Sequence, residues 1–295
     1  MTGKILRENG IPVPDMLQKS CTDRDPEFTE RYGYPASETW SLDIAFAAWL
    51  YEHICIYLKT VANEHEAETG SFVLIRRKDD LVRNKKTYDE QISRSDGRTY
   101  IVHDTELKEM KFNDFLDEYC RFIGEYIKEN IYEDHFISAM EANEIEYEQT
   151  YYIISTFAGI INKFAVKNDA ESAEKKKSDA HRYGFPESEV YDLRKSAVKW
   201  LHTHYIMYRE EASGAINLEF YKFTLPIAEV NEEGAVQITA KTLTQAKIID
   251  HVIRQLEIVL AGLPNVKSEN RKGAETALIR NCFDIFARTH GVMWW

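Results

Sequence analysis

Leu42, Phe46, Trp49, Leu50, His53 and Tyr57 fall at spacings of three, four and seven, which places them on one stripe of a helix. Leu193, Ala197, Trp200, Leu201, His204 and Tyr208 draw the same stripe 151 residues later. The agreement extends without a gap from Arg31–Tyr57 to Arg182–Tyr208, where 11 of 27 pairs are identical. Composition alone would give roughly one or two. The chain therefore contains an internal repeat. Each copy begins with turn punctuation, Gly33 and Pro35 or Gly184 and Pro186. Ser37-Glu38 or Ser188-Glu189 follows, a pattern that predicts an N-cap and a first-turn acid facing the helix dipole. Helices are expected from Ser37 to about residue 63 and from Ser188 to about Glu211.

Between and after these helices the period changes. Ser71–Arg76 and Arg98–Val102 have strand character and bracket a charged excursion with Lys85, Lys86, Arg94 and the turn signal Asp96-Gly97. An amphipathic helix is expected from Asn113. Phe115, Leu116, Tyr119, Phe122, Ile123, Tyr126 and Ile127 form its apolar side, and Asp114, Asp117, Glu118, Glu125 and Glu129 its acidic side. A third helical stretch runs from about Glu146 to Val166. Residues 167–181 then lose all large apolar side chains, as a linker does. The second half follows the same order: strands at Ile216–Leu225 and Ala235–Thr239, a helix over Thr242–Leu260, a further helix over Ser268–Thr289, and a tail ending Trp294-Trp295. The resulting fold class is α+β, predominantly helical, built from two related helix-strand-helix units plus a C-terminal helix. Residues 1–168 are expected to form one domain, 169–181 a linker and 182–295 a second domain.

An apolar content of 44% marks a globular chain, and no run approaches the about 18 apolar residues of a membrane span, so a soluble, intracellular protein is expected. The formal net charge of −12 disfavours direct nucleic-acid binding. The acidity is concentrated: Asp104–Glu148 holds 14 acids against four bases, whereas residues 169–295 hold 18 against 17. The four cysteines are scattered and expected to be idle thiols.

Familiar catalytic arrangements are missing. There is no Gly-rich phosphate loop, no His-Glu-x-x-His and no Gly-x-Ser-x-Gly, so neither catalysis nor a cofactor is expected. His53 and His204 are either one site used twice or a pair of hydrogen-bonded core residues, and the aromatic stripe favours the core. Asp104-Thr105-Glu106-Leu107-Lys108 resembles the acid and Glu-x-Lys of metal-dependent nucleases, although the surrounding negative charge opposes DNA.

Arg31, Gly33, Ser37, Glu38, Trp40, Leu42 and Asp43 carry a resemblance to a turn and helix of bacteriophage proteins. The block, the chain length, the acidic middle and the helix around Arg280-Asn281-Cys282-Phe283 together look like the phage-encoded Gabija anti-defence protein 1 family. That resemblance implies a protein acting in the cytoplasm of the infected bacterium. It would bind the Gabija nuclease/helicase-like complex, assemble around it as a homo-oligomer and block DNA binding and cleavage. The concentration of charge makes the acidic face either a contact for a basic partner or an ordinary solvated helix face. Cys282, Phe283, Phe286, Trp294 and Trp295 would form the oligomer interface. The competing readings are a phage structural or assembly protein and, behind it, a metal-dependent nuclease.

Overall fold

A computed structural model describes residues 3–18, 21–71, 109–130 and 139–293. The strand residues expected at 72–76 and 98–102, the basic excursion, Asp104–Lys108 and the Trp294-Trp295 pair lie outside them. Among the described residues the helices are α1 (Lys4–Glu8), α2 (Asp25–Tyr32), α3 (Leu42–Thr60), α4 (Phe112–Asn130), α5 (Ala139–Ile160), α6 (Ala173–Tyr183), α7 (Leu193–Ala215), α8 (Gln245–Leu260) and α9 (Arg271–Thr289). Two antiparallel hairpins complete the α+β architecture. The first pairs β1 (Thr69–Ser71) with β2 (Glu109–Lys111), and the second pairs β3 (Lys222–Val230) with β4 (Val236–Thr244).

The duplication is more complete than the sequence pattern indicates. Helix, 3₁₀ turn, repeat helix, hairpin and two helices occur in that order twice, so α9 is the counterpart of α5 and not an addition. The repeat also starts earlier, because α2 corresponds to α6. Both of these helices end on a glycine in the left-handed region, Gly33 at φ 85 and Gly184 at φ 90. A side chain with a Cβ is strained there, which explains glycine in both copies. Pro35 and Pro186 then hold the chain extended before matching 3₁₀ turns, Ala36–Thr39 and Glu187–Val190.

Those turns displace the expected caps. The repeat helices begin at Leu42 and Leu193, not at the serines, and the N-cap positions are Ser41 and Asp192. Asp192 accepts from the Lys195 amide at 3.0 Å. Ser37 instead donates its hydroxyl to the Met16 carbonyl at 2.8 Å, and the Ser188 amide donates to Glu171 at 3.2 Å. The second hairpin is also shifted: residues 216–221 form a turn, and β4 runs on to Thr244. Most of the expected linker is α6, whose N-cap Ser172 accepts from the Lys175 amide. Its polar composition reflects exposure around most of the helix and not a lack of structure.

The two copies share one hydrophobic cluster. Trp49 and Trp200 occupy equivalent, fully buried places with ring centroids 6.1 Å apart. Phe46 packs between Trp200, Phe157, Phe283 and Phe286 at 5.1–5.7 Å. Its counterpart in the second copy is Ala197, so the centre receives one large ring where strict symmetry would demand two. Cys282, Phe283 and Phe286 are wholly buried in this core. They are unavailable to a second copy of the chain, and the expected oligomer interface on that helix is corrected accordingly.

Glu52 shows how the N-terminal residues are attached. It is buried on α3, and its Oε1 accepts the amide protons of Ile5 at 3.1 Å and Leu6 at 3.5 Å, capping the first turn of α1. Its Oε2 is buried without a hydrogen-bond partner. Burial pushes the carboxyl pKa up from 4.5 to about 7, against the opposing amide bonds. The folded state therefore holds this proton to higher pH than the unfolded chain, and the group's contribution to stability falls as pH rises from about 4.5 to about 7. Chemical denaturation at the two ends of that window should show wild-type stability falling relative to Glu52→Gln, by at most roughly 3 kcal/mol. Parallel pH profiles for the two proteins would contradict the assignment.

Candidate functional site

The two repeated histidines sit at the contact between the copies. On α7, His204 Nδ1 lies 2.9 Å from the Trp200 carbonyl one turn earlier, and on α3 His53 Nδ1 lies 2.8 Å from the Trp49 carbonyl. A carbonyl only accepts, so each Nδ1 carries the proton and each Nε2 faces away from its own helix. Nε2 of His204 meets Glu38 of the first copy at 2.8 Å. Nε2 of His53 meets Glu189 of the second copy at 3.0 Å. The acids of the two 3₁₀ turns are thus exchanged. With Nδ1 already donating, each Nε2–carboxylate contact requires a proton between the two atoms, as imidazolium–carboxylate or imidazole–carboxylic acid.

The rings are enclosed as well as bonded. His53 stacks between Trp49 and Phe185 with centroids 4.0 and 3.9 Å away. His204 lies against Trp200 at 3.8 Å and Tyr34 at 4.5 Å, and Tyr34 and Phe185 are equivalent positions of the repeat. Both histidines are buried, which leaves no room for a substrate and resolves the two readings in favour of the core. Glu38 also departs from its expected role. It spans the copies and does not face the dipole of its own helix.

Among the described residues, no group of three or more His, Cys, Asp and Glu is placed to hold a metal ion. No described helix is long and apolar enough to cross a membrane. One cleft of about 740 Å³ lies between the end of β3 and the α8–α9 connection, lined by Glu229, His251, Arg254, Gln255, Glu257 and Leu263 among others. Its charges are mixed, and Glu229 is already paired with Lys241 at 2.8 Å.

The expected acidic face is present on α4. Its seven apolar residues are all buried, while Asp114, Asp117, Glu125 and Glu129 are exposed and Glu118 is half-buried. Asp117, Arg121, Glu125 and Glu129 form one row at four-residue intervals, so a single arginine interrupts three acids. Burial raises the Asp117 pKa, and neighbouring Asp114 adds to the rise while Arg121 opposes it. Of the 14 acids in the acidic segment, only these five have described side chains. Against Arg121 and Lys128 they leave the visible face at −3.

A second surface was not legible as a site. β3 is clamped along its outer edge by Asn281 of α9, whose side-chain amide accepts from the Ala228 amide at 2.9 Å and donates to the Pro226 carbonyl at 2.6 Å. Register pairs Pro226 with Ala240 and Ala228 with Ile238. In antiparallel pairing, residues opposite such outward-facing groups also turn their backbones outward. Ile238 and Ala240 therefore direct N–H and C=O to the far edge of β4, which no described strand covers. Val236 and Ile238 of β4 are exposed, as are Phe220 and Tyr221 in the turn before β3. The only signal in the sequence was β-branched alternation from Val236 to Thr244, which an internal strand would share.

No protein-family model matches the chain, and neither does any curated protein or solved structure.

The crossed pairs make an asymmetric prediction. Glu38 is fully buried, whereas the Glu189 side chain is 36% exposed. His204→Leu removes the imidazole from a carboxylate with no access to water and should cost about 3–5 kcal/mol. His53→Leu should cost distinctly less, because water reaches Glu189. Equal losses in urea unfolding would show that solvent access does not set the cost.

Proposed function

We propose that the protein is a phage-encoded inhibitor that binds the bacterial Gabija nuclease/helicase-like complex in the cytoplasm of the infected host. By assembling around that complex as a homo-oligomer, it blocks DNA binding and cleavage. The observation that supports this best is the acidic row of α4, displayed on a helix whose opposite side is locked into the core. Like charges crowded at Asp114 and Asp117 disfavour the isolated protein and favour a basic partner, and proteins that process DNA present basic surfaces. The resemblance of the repeat block and chain length to the Gabija anti-defence protein 1 family selects the partner. Since Phe283 and Phe286 are interior, self-association uses another surface.

The open β4 edge favours a second reading, a phage structural or assembly protein, because an uncovered strand is a template for addition of another.

Reversal of Asp117, Glu118, Glu125 and Glu129 to Lys tests the first reading. Surface changes typically cost within about 0.5 kcal/mol each, so the variant should stay folded. It should associate more slowly with purified Gabija complex, with a weaker salt dependence, and protect phage less well. An unchanged on-rate and salt response would remove the acidic row from the contact. Failure of the wild-type protein to co-elute with the complex in gel filtration would favour the assembly reading.

A further inference from the structure

Cys55 on α3 and Cys120 on α4 are separated by 65 residues in sequence and 3.8 Å between sulfurs. Sequence spacing gives no hint of this. The two helices pack against each other, and their faces bring the thiols together at the boundary between core and surface. Cys120 is buried and has the Tyr51 carbonyl at 3.9 Å, whereas Cys55 is only partly buried. Around Cys55 the hydrogen bonds with Cys120 and Tyr51 and the charge of Lys59 favour an anionic sulfur and outweigh burial and the nearby Glu52, which oppose it. The Asn9 amide reaches it at 3.9 Å while also donating to the Tyr51 hydroxyl at 3.0 Å. Lys59, one turn further along α3, adds positive charge. The two sulfurs are driven apart in acidity. The hydrogen bond from Cys120 leads the effects that lower the Cys55 pKa, and the same hydrogen bond together with burial raises that of Cys120.

We propose that Cys55 and Cys120 form a reversible redox site that reacts with hydroperoxides, Cys55 as the attacking thiolate and Cys120 as the resolving thiol. The Cys55 thiolate attacks one peroxide oxygen, forming an S–O bond as the O–O bond breaks, and the departing hydroxide takes up a proton to become water. Cys120 sulfur then attacks the Cys55 sulfenic acid. The S–S bond forms, the S–O bond breaks, and a second water leaves with the Cys120 proton. Two thiols lose two electrons and one hydrogen peroxide becomes two waters. Disulfide length requires the sulfurs, 3.8 Å apart, to approach by about 1.8 Å. The cross-link would fasten the repeat helix to the helix that carries the acidic row. It does not depend on the identity of any partner.

The other cysteines serve as internal controls. Cys21 is exposed and Cys282 fully buried, and neither has a described cysteine beside it. Full-length native protein treated with hydrogen peroxide should yield a peptide joining Cys55 to Cys120, lighter by two hydrogens and restored by dithiothreitol. Alkylation of Cys55 should fall to near zero while Cys282 remains reduced. In Cys120→Ala the reaction should stop at a dimedone-reactive Cys55, and in Cys55→Ser Cys120 should stay reduced. The wild-type peptide mass decides the matter even if the core variant folds poorly. Oxidation confined to Cys21, a Cys55–Cys21 link between molecules, or a Cys55–Cys120 link formed only in denaturant would each overturn the proposal.

Discussion

A histidine whose Nδ1 is tied to the carbonyl one turn earlier on its own helix has a single free nitrogen, and that nitrogen points away from the helix. In this protein both repeat histidines are held in that way, so each must find its second partner elsewhere. Each finds it in the 3₁₀ turn of the opposite copy. The consequence is architectural. A half of the chain on its own would lack both the partner acid and the second ring over its histidine, Phe185 for His53 and Tyr34 for His204. Exchange of the two acids ties the copies into one core, and the Trp49–Trp200 and Phe46 contacts extend that core along the same boundary.

The exchange is symmetric in connectivity but not in environment. Glu38 and His204 are sealed from water, while the side chain of Glu189 reaches the surface. Tyr34, which covers His204, is strongly raised in pKa by burial first, and then by Glu189 and Glu38. Both acids are therefore near one phenol that stays neutral, and the second copy has Phe185 in the same place with no proton to lose. Phe46 against Ala197 follows the same logic. Phe46 fills the centre with one large ring against Trp200, Phe157, Phe283 and Phe286, and the equivalent position of the second copy is the small Ala197.

The repeat, the order of elements and the apolar faces of the helices were legible from periodicity, because a core-facing stripe leaves a periodic record. The partners of polar groups were not. Glu38 and Glu189 fit a first-turn acid so well locally that nothing in the sequence points across to the other copy. Ser37 and Ser188 were equally good caps until the 3₁₀ turns moved the helix starts to Leu42 and Leu193. Residues 169–181 look like a linker because α6 exposes most of its surface, and composition cannot separate an exposed helix from an irregular chain. Phe283 and Phe286 were assigned to an interface through the resemblance, and the apolar face of α9 does not by itself say what covers it. The acidic row of α4 was legible because exposure is the default for charge.

What makes that row suited to a partner is its support more than its charge. Tyr126 of α4 donates to Asp43 of the repeat helix at 3.4 Å and shares a hydrogen bond with Thr150 at 2.7 Å, and Tyr119 donates to the Ile153 carbonyl. The helix is thus pinned on its inner side to α3 and α5, the first of which is held by the crossed histidine pairs. Acids on such a scaffold bring little backbone freedom to be lost on binding, whereas an acidic tail of equal charge would have to be ordered at a cost of roughly 1–2 kcal/mol per residue. On the proposed reading, a fixed row would also set the geometry that a basic surface must match, so that its charge would serve discrimination among partners as well as attraction. The contacts run from the exchanged acids through the aromatic centre and α3 to the inner side of α4.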